Sequence, residues 1–427
     1  MQKMNIIDLL TARGFVDQMT SPELRALTEN PIGVYLGLDP TADSFHLGNL
    51  MGLMALAWFQ KCGHKVYALV GGATGRIGDP SGKSVERPLL SEEELAHNVA
   101  SLTAFLKKLL SFPEGVPPVV VNNHDWLGKI GLIDFLREAG KHFRVGSMIA
   151  KESVRARLQS EEGISFTEFS YQVLQGYDFC FLSKQYGISL QVGGSDQWGN
   201  ITAGVELNRK TGGKPLFGLT WPLLTRSDGK KFGKSEEGAV WLSSEKLSPY
   251  HFYQYLVRVP DVDVIRLLKI LTFIPLSEIS KIEQEMEVSG YVPNTAQKKL
   301  AEEVTRFIHG EEGLAAALRV TMGMMPGEAA GGVLSAKVLK ELAQDMPHIS
   351  LSRSDVVGIK FVDLASKIGL VPSKAEGGRL IKNGGAYLNN ERISDPNFFI
   401  QEKDLIEGIY LLFSSGKKKR ILVEIEN

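Results

Sequence analysis

Over about the first 225 residues, short apolar runs alternate with helix-periodic stretches, and this alternation limits the fold more than any other feature. Gly33-Val34-Tyr35-Leu36-Gly37-Leu38 reads as a buried strand, and Leu47 to Lys61 as the helix after it. Lys65-Val66-Tyr67-Ala68-Leu69-Val70 is the next strand, followed by a glycine-rich loop. Val119-Val120-Val121 and Ser189-Leu190-Gln191-Val192 read as further strands. The pattern predicts an α/β fold, a doubly wound, mostly parallel sheet with helices on both faces. Such sheets bind ligands beyond the carboxyl ends of their strands, so residues that follow strands are the first candidates for a site.

Helical spacing takes over from about residue 248 to 320, as in Asp263 to Leu271 and Ala296 to Ile308. Thr321 to Ala336 holds Gly323, Pro326, Gly327, Gly331 and Gly332, a linker composition. The expected organisation is a domain over 1–230 with a helical insertion, a loop over 231–247, and a helical domain over 248–320. A linker over 321–350 and a small α+β unit over 351–427 complete it. The net charge of −1, from 48 basic and 49 acidic residues, neither demands nor excludes nucleic acid, so any basic surface is local. Cys62 and Cys180 are the only cysteines and lack metal-ligand spacing. No disulfide framework and no protein-bound metal are expected, and a reducing compartment fits. The N-terminal stretch carries Asp8 and no cleavage pattern, and the longest apolar run, Leu50 to Phe59, is too short to span a bilayer. The expectation is a cytoplasmic protein with no membrane segment.

Three loops carry the chemistry. Asp39-Pro40-Thr41-Ala42-Asp43-Ser44-Phe45-His46-Leu47-Gly48-Asn49 runs from a strand end into a helix. A helix N-terminus offers free N–H groups and partial positive charge to phosphate. His46 and Asn49 share a face, and Gly48 lets a large ligand approach the backbone. Taken alone, the segment also reads as a capped surface helix. The loop from Gly71 to Ser84 is not a P-loop, because Ile77 stands where glycine is required, but Asp79, Lys83 and nearby Arg87 place charges beside its glycines. Lys230, Lys231 and Lys234 crowd like charges together ahead of Ser235, a costly arrangement that an anion such as a triphosphate relieves.

Together, His46-Leu47-Gly48-Asn49 resembles the HIGH signature of class I aminoacyl-tRNA synthetases, and Lys231-Phe232-Gly233-Lys234-Ser235 resembles their KMSKS loop. Asn49 departs from the usual histidine, and Phe232 and Gly233 depart at positions that do not bind phosphate. The resemblance implies a Rossmann-like catalytic domain that activates a carboxylate with ATP and magnesium.

The spacing of Tyr171, Gln175 and Asp178 puts a phenol, an amide and a carboxylate on one helical face. Flanked by Phe169, Leu174 and Phe179, these groups need partners if buried, although a solvent-facing stripe fits the same spacing. Thr167 to Asp178 and Gly193-Gly194-Ser195-Asp196-Gln197-Trp198-Gly199-Asn200 are similar to segments of tyrosyl-tRNA synthetases. That resemblance implies a tyrosine site in which Tyr171 and Gln175 take the ammonium, and Asp178 and Tyr35 the phenol. Asp39, Asp79 and Gln197 would orient the substrate. Thr41 and His46 would act on the γ-phosphate, Asn49 would be a further donor of the catalytic set, and Lys83, Arg87, Lys231 and Lys234 would hold the departing pyrophosphate. Gly37, Gly48, Gly193, Asp196, Lys234 and Ser235 would line the ATP site.

Phe361 to Pro396 resembles an S-four-type RNA-binding domain. From Leu351 onward twelve basic residues face ten acidic ones, a modest net +2. Lys374, Arg379 and Lys382 are the candidate phosphate contacts, and Lys417-Lys418-Lys419-Arg420 reads equally as a contact or a solvated turn. The implied partners are tyrosine, ATP and tRNA(Tyr), with a homodimer whose interface uses apolar residues around Leu127 to Phe143. A tryptophan-specific relative, a synthetase-like RNA-binding protein without activity, and a small-molecule adenylyltransferase are the competing readings. Tyr35 with Asp178, the intact lysines, and the RNA domain argue against them in turn.

Overall fold

The computed structural model describes residues 4–82, 90–112, 116–161, 163–229, 231–235, 238–323, 334–343, 346–416 and 419–426. Its first sheet contains β1 (Gln18–Met19), β2 (Gly33–Leu38), β3 (Lys65–Val70), β4 (Val119–Asn122), β5 (Ile188–Gly194) and β6 (Phe217–Trp221). Their order is β1-β6-β5-β2-β3-β4, parallel except for the antiparallel edge pair of β1 with β6. The chain moves one way from β2 through β3 to β4, then crosses back to β5 and β6. The crevice beyond the carboxyl ends of β2 and β5 is therefore the topological switch point, where doubly wound sheets bind ligands.

Between strands run α1 (Leu50–Lys61), α2 (Glu92–Leu109), α3 (Phe166–Tyr186) and α4 (Trp198–Lys210). The helix expected from Leu47 begins instead with a 3-10 turn, Leu47–Asn49, before α1. Every residue of α1 from Leu50 to Gln60 is buried. A helix apolar all round needs cover on both sides. The sheet supplies one cover and α5 (Asp261–Leu271), whose Val264, Leu267 and Leu268 are fully buried, the other. Ser165 caps the start of α3 by accepting from the Glu168 N–H at 3.2 Å, and Gly187 ends it in the left-handed region at φ 70°.

Contacts divide the chain into two compact units, 1–246 with 256–308, and 247–255 with 309–427. Most of the helical segment expected to stand alone over 248–320 thus packs with the first unit. Part of the reason is Arg13, buried at 2% exposure with its guanidinium 4.2 Å from the Trp58 ring centroid. It donates to the carbonyls of Lys269 at 2.8 Å, Thr272 at 3.0 Å and Ile274 at 2.5 Å, closing the end of α5. No periodicity within 248–320 reveals a partner at residue 13.

The second unit carries β9 (His348–Ser352), β10 (Ala386–Leu388), β11 (Glu391–Arg392), β12 (Tyr410–Ser415) and β13 (Lys419–Glu426), while β7 (Lys234–Ser235) and β8 (Gly238–Ala239) form a small hairpin in the first. Strand order is β11-β10-β12-β13-β9, with β9 parallel to β13 and the other pairs antiparallel. Helices α6 (Phe361–Lys367) and α7 (Lys374–Lys382) cover one face, where Phe361, Leu364 and Ile381 meet Leu411, Phe413 and Val423. The stretch expected as linker over 321–350 holds a helix, Ala336–Ala343, whose Leu339 packs with Leu412 and Leu422 on the opposite face. Residues 324–333, where most of its glycines fall, lie outside the described residues.

Candidate active site

Asp39 leaves the end of β2 and collects two donors. The Tyr171 hydroxyl donates to one carboxylate oxygen at 2.8 Å and the Thr74 hydroxyl to the other at 2.7 Å. A Cβ on Gly71 would stand 2.0 Å from that second oxygen, so the close approach requires glycine. Thr74 accepts in turn from the Asn123 amide at 2.9 Å, and the same amide donates to Asp178 at 3.0 Å. The Trp126 indole N–H donates to the other Asp178 oxygen at 2.7 Å. One hydrogen-bonded chain thus runs from Tyr171 on α3 back to Asp178, two turns along the same helix.

Asp178 is 2% exposed. Burial pushes its pKa up to about 8 against the pull of Asn123 and Trp126, and the charge of Asp39 adds to the rise. Tyr35 lies fully buried, its ring 5.2 Å from that of Phe179, edge to face. Its pKa is raised well above the usual tyrosine value, first by burial and then by the charge of Asp178. The Tyr35 hydroxyl has no hydrogen-bond partner among the described residues. An unpaired buried hydroxyl beside a buried carboxylate is the chemistry that receives a ligand hydroxyl.

A second cluster surrounds Asp79. Gln197 donates to it at 2.7 Å, the Ser81 N–H at 2.9 Å, and Asn200 at 3.3 Å. Gln175 reaches the Gln197 carbonyl oxygen at 3.4 Å. The polar face of α3 is therefore turned inward: Tyr171 meets Asp39, Gln175 meets Gln197, and Asp178 meets Asn123 and Trp126. Burial raises the pKa of Asp196, with Asp79 adding to the rise and Lys231 opposing it. Gly82 lies beside Asp196, where a Cβ would stand 3.6 Å from the carboxylate, and the buried Gly193 backs onto Gln197.

The two motifs expected to bind nucleotide are in contact. Leu47 donates its N–H to the Val240 carbonyl at 2.7 Å and Leu242 donates to Phe45 at 2.8 Å, with His46 bridged to Trp241. Gly233 has φ +87°, and a Cβ there would lie 2.8 Å from the Gly48 nitrogen and 3.0 Å from Leu47. The Gly48 face is closed to a side chain by the His46 ring, 2.9 Å away. Asn49 turns its carbonyl oxygen to the His46 N–H at 3.1 Å, which leaves its amide hydrogens for another acceptor.

Gly37, Thr41 and Gly48 are exposed, as is Lys231. Lys234 and Ser235 make up the strand β7. Lys83 and Arg87 lie outside the described residues, as do Lys417 and Lys418. Lys374, Arg379 and Lys382 sit far along the chain on α7, all exposed; Lys374 pairs with Asp363 at 3.0 Å and Arg379 with Glu376 at 2.6 Å.

Four site residues escaped the sequence reading: Thr74, Asn123, Trp126 and Asn200. Asn123 follows the end of β4, where the strand-end rule points. Nothing local marks Trp126.

Residues 27–324 match the family of class I tRNA synthetases (W and Y). Over 422 residues the chain is 52% identical to a tyrosine–tRNA ligase of Protochlamydia amoebophila, covering 99% of both chains. The chain belongs to the tyrosine–tRNA ligase family. Within that family it is also 46% identical to the Escherichia coli ligase over 428 residues, 99% of each. Residues 338–423 match the SYY-like C-terminal domain of tyrosine–tRNA ligases. Among solved structures, a truncated Aspergillus nidulans mitochondrial tyrosyl-tRNA synthetase superposes with a TM-score of 0.65 at 33% identity, covering 74% of this chain and 93% of that one.

Proposed function

We propose that the chain is a tyrosine–tRNA ligase: it activates tyrosine with ATP to tyrosyl-adenylate and pyrophosphate, then transfers tyrosyl to the 3′-terminal adenosine of tRNA(Tyr). The observation that carries this reading is the buried Asp178 carboxylate, held by Asn123 and Trp126, beside the unpaired Tyr35 hydroxyl. The substrate phenol lies between them, donating to Asp178 and paired with Tyr35. Its ammonium lies toward Tyr171, Gln175, Asp39 and Asp79, where two carboxylates supply counter-charge. Gln197 orients the carboxyl group.

A tyrosine carboxylate is ionised at neutral pH, so the first step needs no general base. Rate comes from holding the carboxylate in line with the α-phosphorus and from cations aimed at growing phosphate charge. Thr41 and His46 act at the γ-phosphate with Asn49 as a further donor; Lys83, Arg87, Lys231 and Lys234 hold the leaving pyrophosphate. Gly37, Gly48, Gly193, Asp196 and Ser235 line the ATP site, with Gly193 and Asp196 at the ribose. Magnesium enters on the phosphates of ATP; among the described residues no group of three or more His, Cys, Asp or Glu gathers to hold a metal.

Segments 1–230 and 231–247 serve activation, and 351–427 serves RNA. Lys374, Arg379 and Lys382 face phosphate from one roughly 140° sector of α7. The ligase works as a homodimer in the cytoplasm, where its tRNA is used. Leu132, Ile133 and Leu136, exposed at 71%, 66% and 47%, support the dimer as an apolar patch of interface character. Among the described residues no helix is long and apolar enough to cross a membrane.

The test is tyrosine-dependent exchange of pyrophosphate into ATP, followed by tRNA charging. Exchange with tyrosine and not with tryptophan or phenylalanine is expected; exchange without amino-acid dependence refutes the reading. Lys234→Ala lowers adenylate formation by about 3–4 kcal/mol of transition-state stabilisation while tyrosine affinity holds.

A further inference from the structure

The loop that carries Lys231, bridged to Thr225 just ahead of the β7–β8 hairpin, is fastened at its root. Asp263, in the first turn of α5, is 3% exposed. One of its carboxylate oxygens accepts both the backbone N–H and the hydroxyl of Ser227, each at 3.1 Å. The other accepts from Arg266 at 3.1 Å, and the Arg266 guanidinium also donates to the Thr225 carbonyl. Thr225 in turn bridges to Lys231, and the Phe232 N–H donates to the Leu224 carbonyl at 3.1 Å. A short chain of bonds therefore joins α5 to the backbone of Lys231.

Burying a carboxylate is unfavourable unless donors surround it. The donors that Asp263 has among the described residues are Ser227, at the loop root, and Arg266, which grips the same root. Neither Asp263 nor Arg266 belongs to the substrate network around Asp39, Asp79 and Asp178. The pair contributes little apolar burial, since the Arg266 side chain is 44% exposed. Its effect is on where the loop begins.

We infer that Asp263, with Arg266, is a positioning clamp for adenylate formation: it holds Thr225 and Ser227 so that Lys231 stands where pyrophosphate leaves. The inference rests on the phosphate role given to Lys231 above. The clamp acts on adenylate formation and not on tyrosine binding, because the tyrosine groups hang on α3 and on the segments at β2, β3 and β5, and not on the loop of Lys231. Misplacing a charged donor by about 1 Å is enough to cost on the order of a hundredfold in rate.

The test compares the full-length wild type with Asp263→Asn and Ser227→Ala in three measurements: tyrosine affinity by equilibrium dialysis, the kcat and ATP KM of pyrophosphate exchange, and the rate of tryptic cleavage after Arg226 and Lys231. For Asp263→Asn, exchange falls about tenfold or more, tyrosine affinity stays within about twofold, and tryptic cleavage speeds up several-fold. Ser227→Ala, which removes an exposed hydroxyl, shows a smaller effect of the same kind. In the double variant the loss does not exceed that of Asp263→Asn alone. Wild-type exchange in both single variants, or tyrosine affinity falling in step with exchange, overturns the clamp. If Asp263→Asn fails to fold, Ser227→Ala decides by itself, and full activity there overturns it. A wild type without exchange refutes the functional reading instead, while tryptic cleavage still reports on the clamp.

Discussion

Asp178 and Tyr35 are both held in states that cost the free protein stability. An unpaired buried hydroxyl costs about 1–3 kcal/mol, so Tyr35→Phe raises or preserves unfolding stability while it weakens tyrosine binding and narrows the preference over phenylalanine. Denaturant melts and competition assays on the same variant check both halves; lost stability with retained selectivity contradicts the assignment. Asp178 contributes a pH dependence whose sign is unusual for a carboxylate. Its folded pKa, about 8, lies above the unfolded value, so the native state holds a proton that the unfolded chain gives up. That contribution is complete below the unfolded pKa and is lost as pH rises through about 8. Between about pH 6 and about pH 9 the wild type therefore loses more stability than Asp178→Asn, which has no proton to lose. Parallel curves for the two proteins would remove the effect. The helical spacing of Tyr171, Gln175 and Asp178 was legible because one helix imposes it. Asn123 and Trp126 were not, because their bonds to Asp178 join positions more than fifty apart in sequence.

Secondary elements meet at the site through glycine. Gly233 combines a left-handed φ with a backbone contact to Gly48, so the KMSKS-like hairpin can settle on the HIGH-like turn. A Gly233→Ala change strains the hairpin by about 1 kcal/mol or more and pushes it off Leu47. Pyrophosphate exchange should fall well beyond twofold while tyrosine affinity stays level; an active alanine variant would show that the contact is dispensable. The start of α3 is held differently. Arg157 and Glu168, 2% and 1% exposed, form a two-bond ion pair at 2.9 and 2.8 Å. Arg157→Met strands the buried Glu168 charge and costs about 3–5 kcal/mol, read as a lowered urea midpoint. From sequence, Gly233 looked like a tolerated departure from a motif. It became necessary only when the 3-10 turn and the hairpin were seen in contact.

At the level of the molecule, the parallel sheet brings the Asp178 cluster of α3 and the residues that follow β2 and β5, the proposed phenol and phosphate sites, to the carboxyl ends of its strands. The exposed patch of Leu132, Ile133 and Leu136 gives the proposed dimer a direct test: Ile133→Asp, a surface change, should yield a folded monomer where the wild type sediments as a dimer. A variant that sediments as the wild type does rules out this patch as the interface. Periodicity was enough to foresee an α/β fold with a mostly parallel sheet and four of the six strands described in it, since each is a local pattern of a few residues, whereas β1 and β6 were not read from the sequence. The joining of α5 to Arg13, the burial of α1 on both sides, and the bonds that link Asp39 to Asp178 came only from the folded chain. Hydrogen-bond partners and packing covers are chosen by distance in space, and local periodicity has no information about which remote segment will supply them.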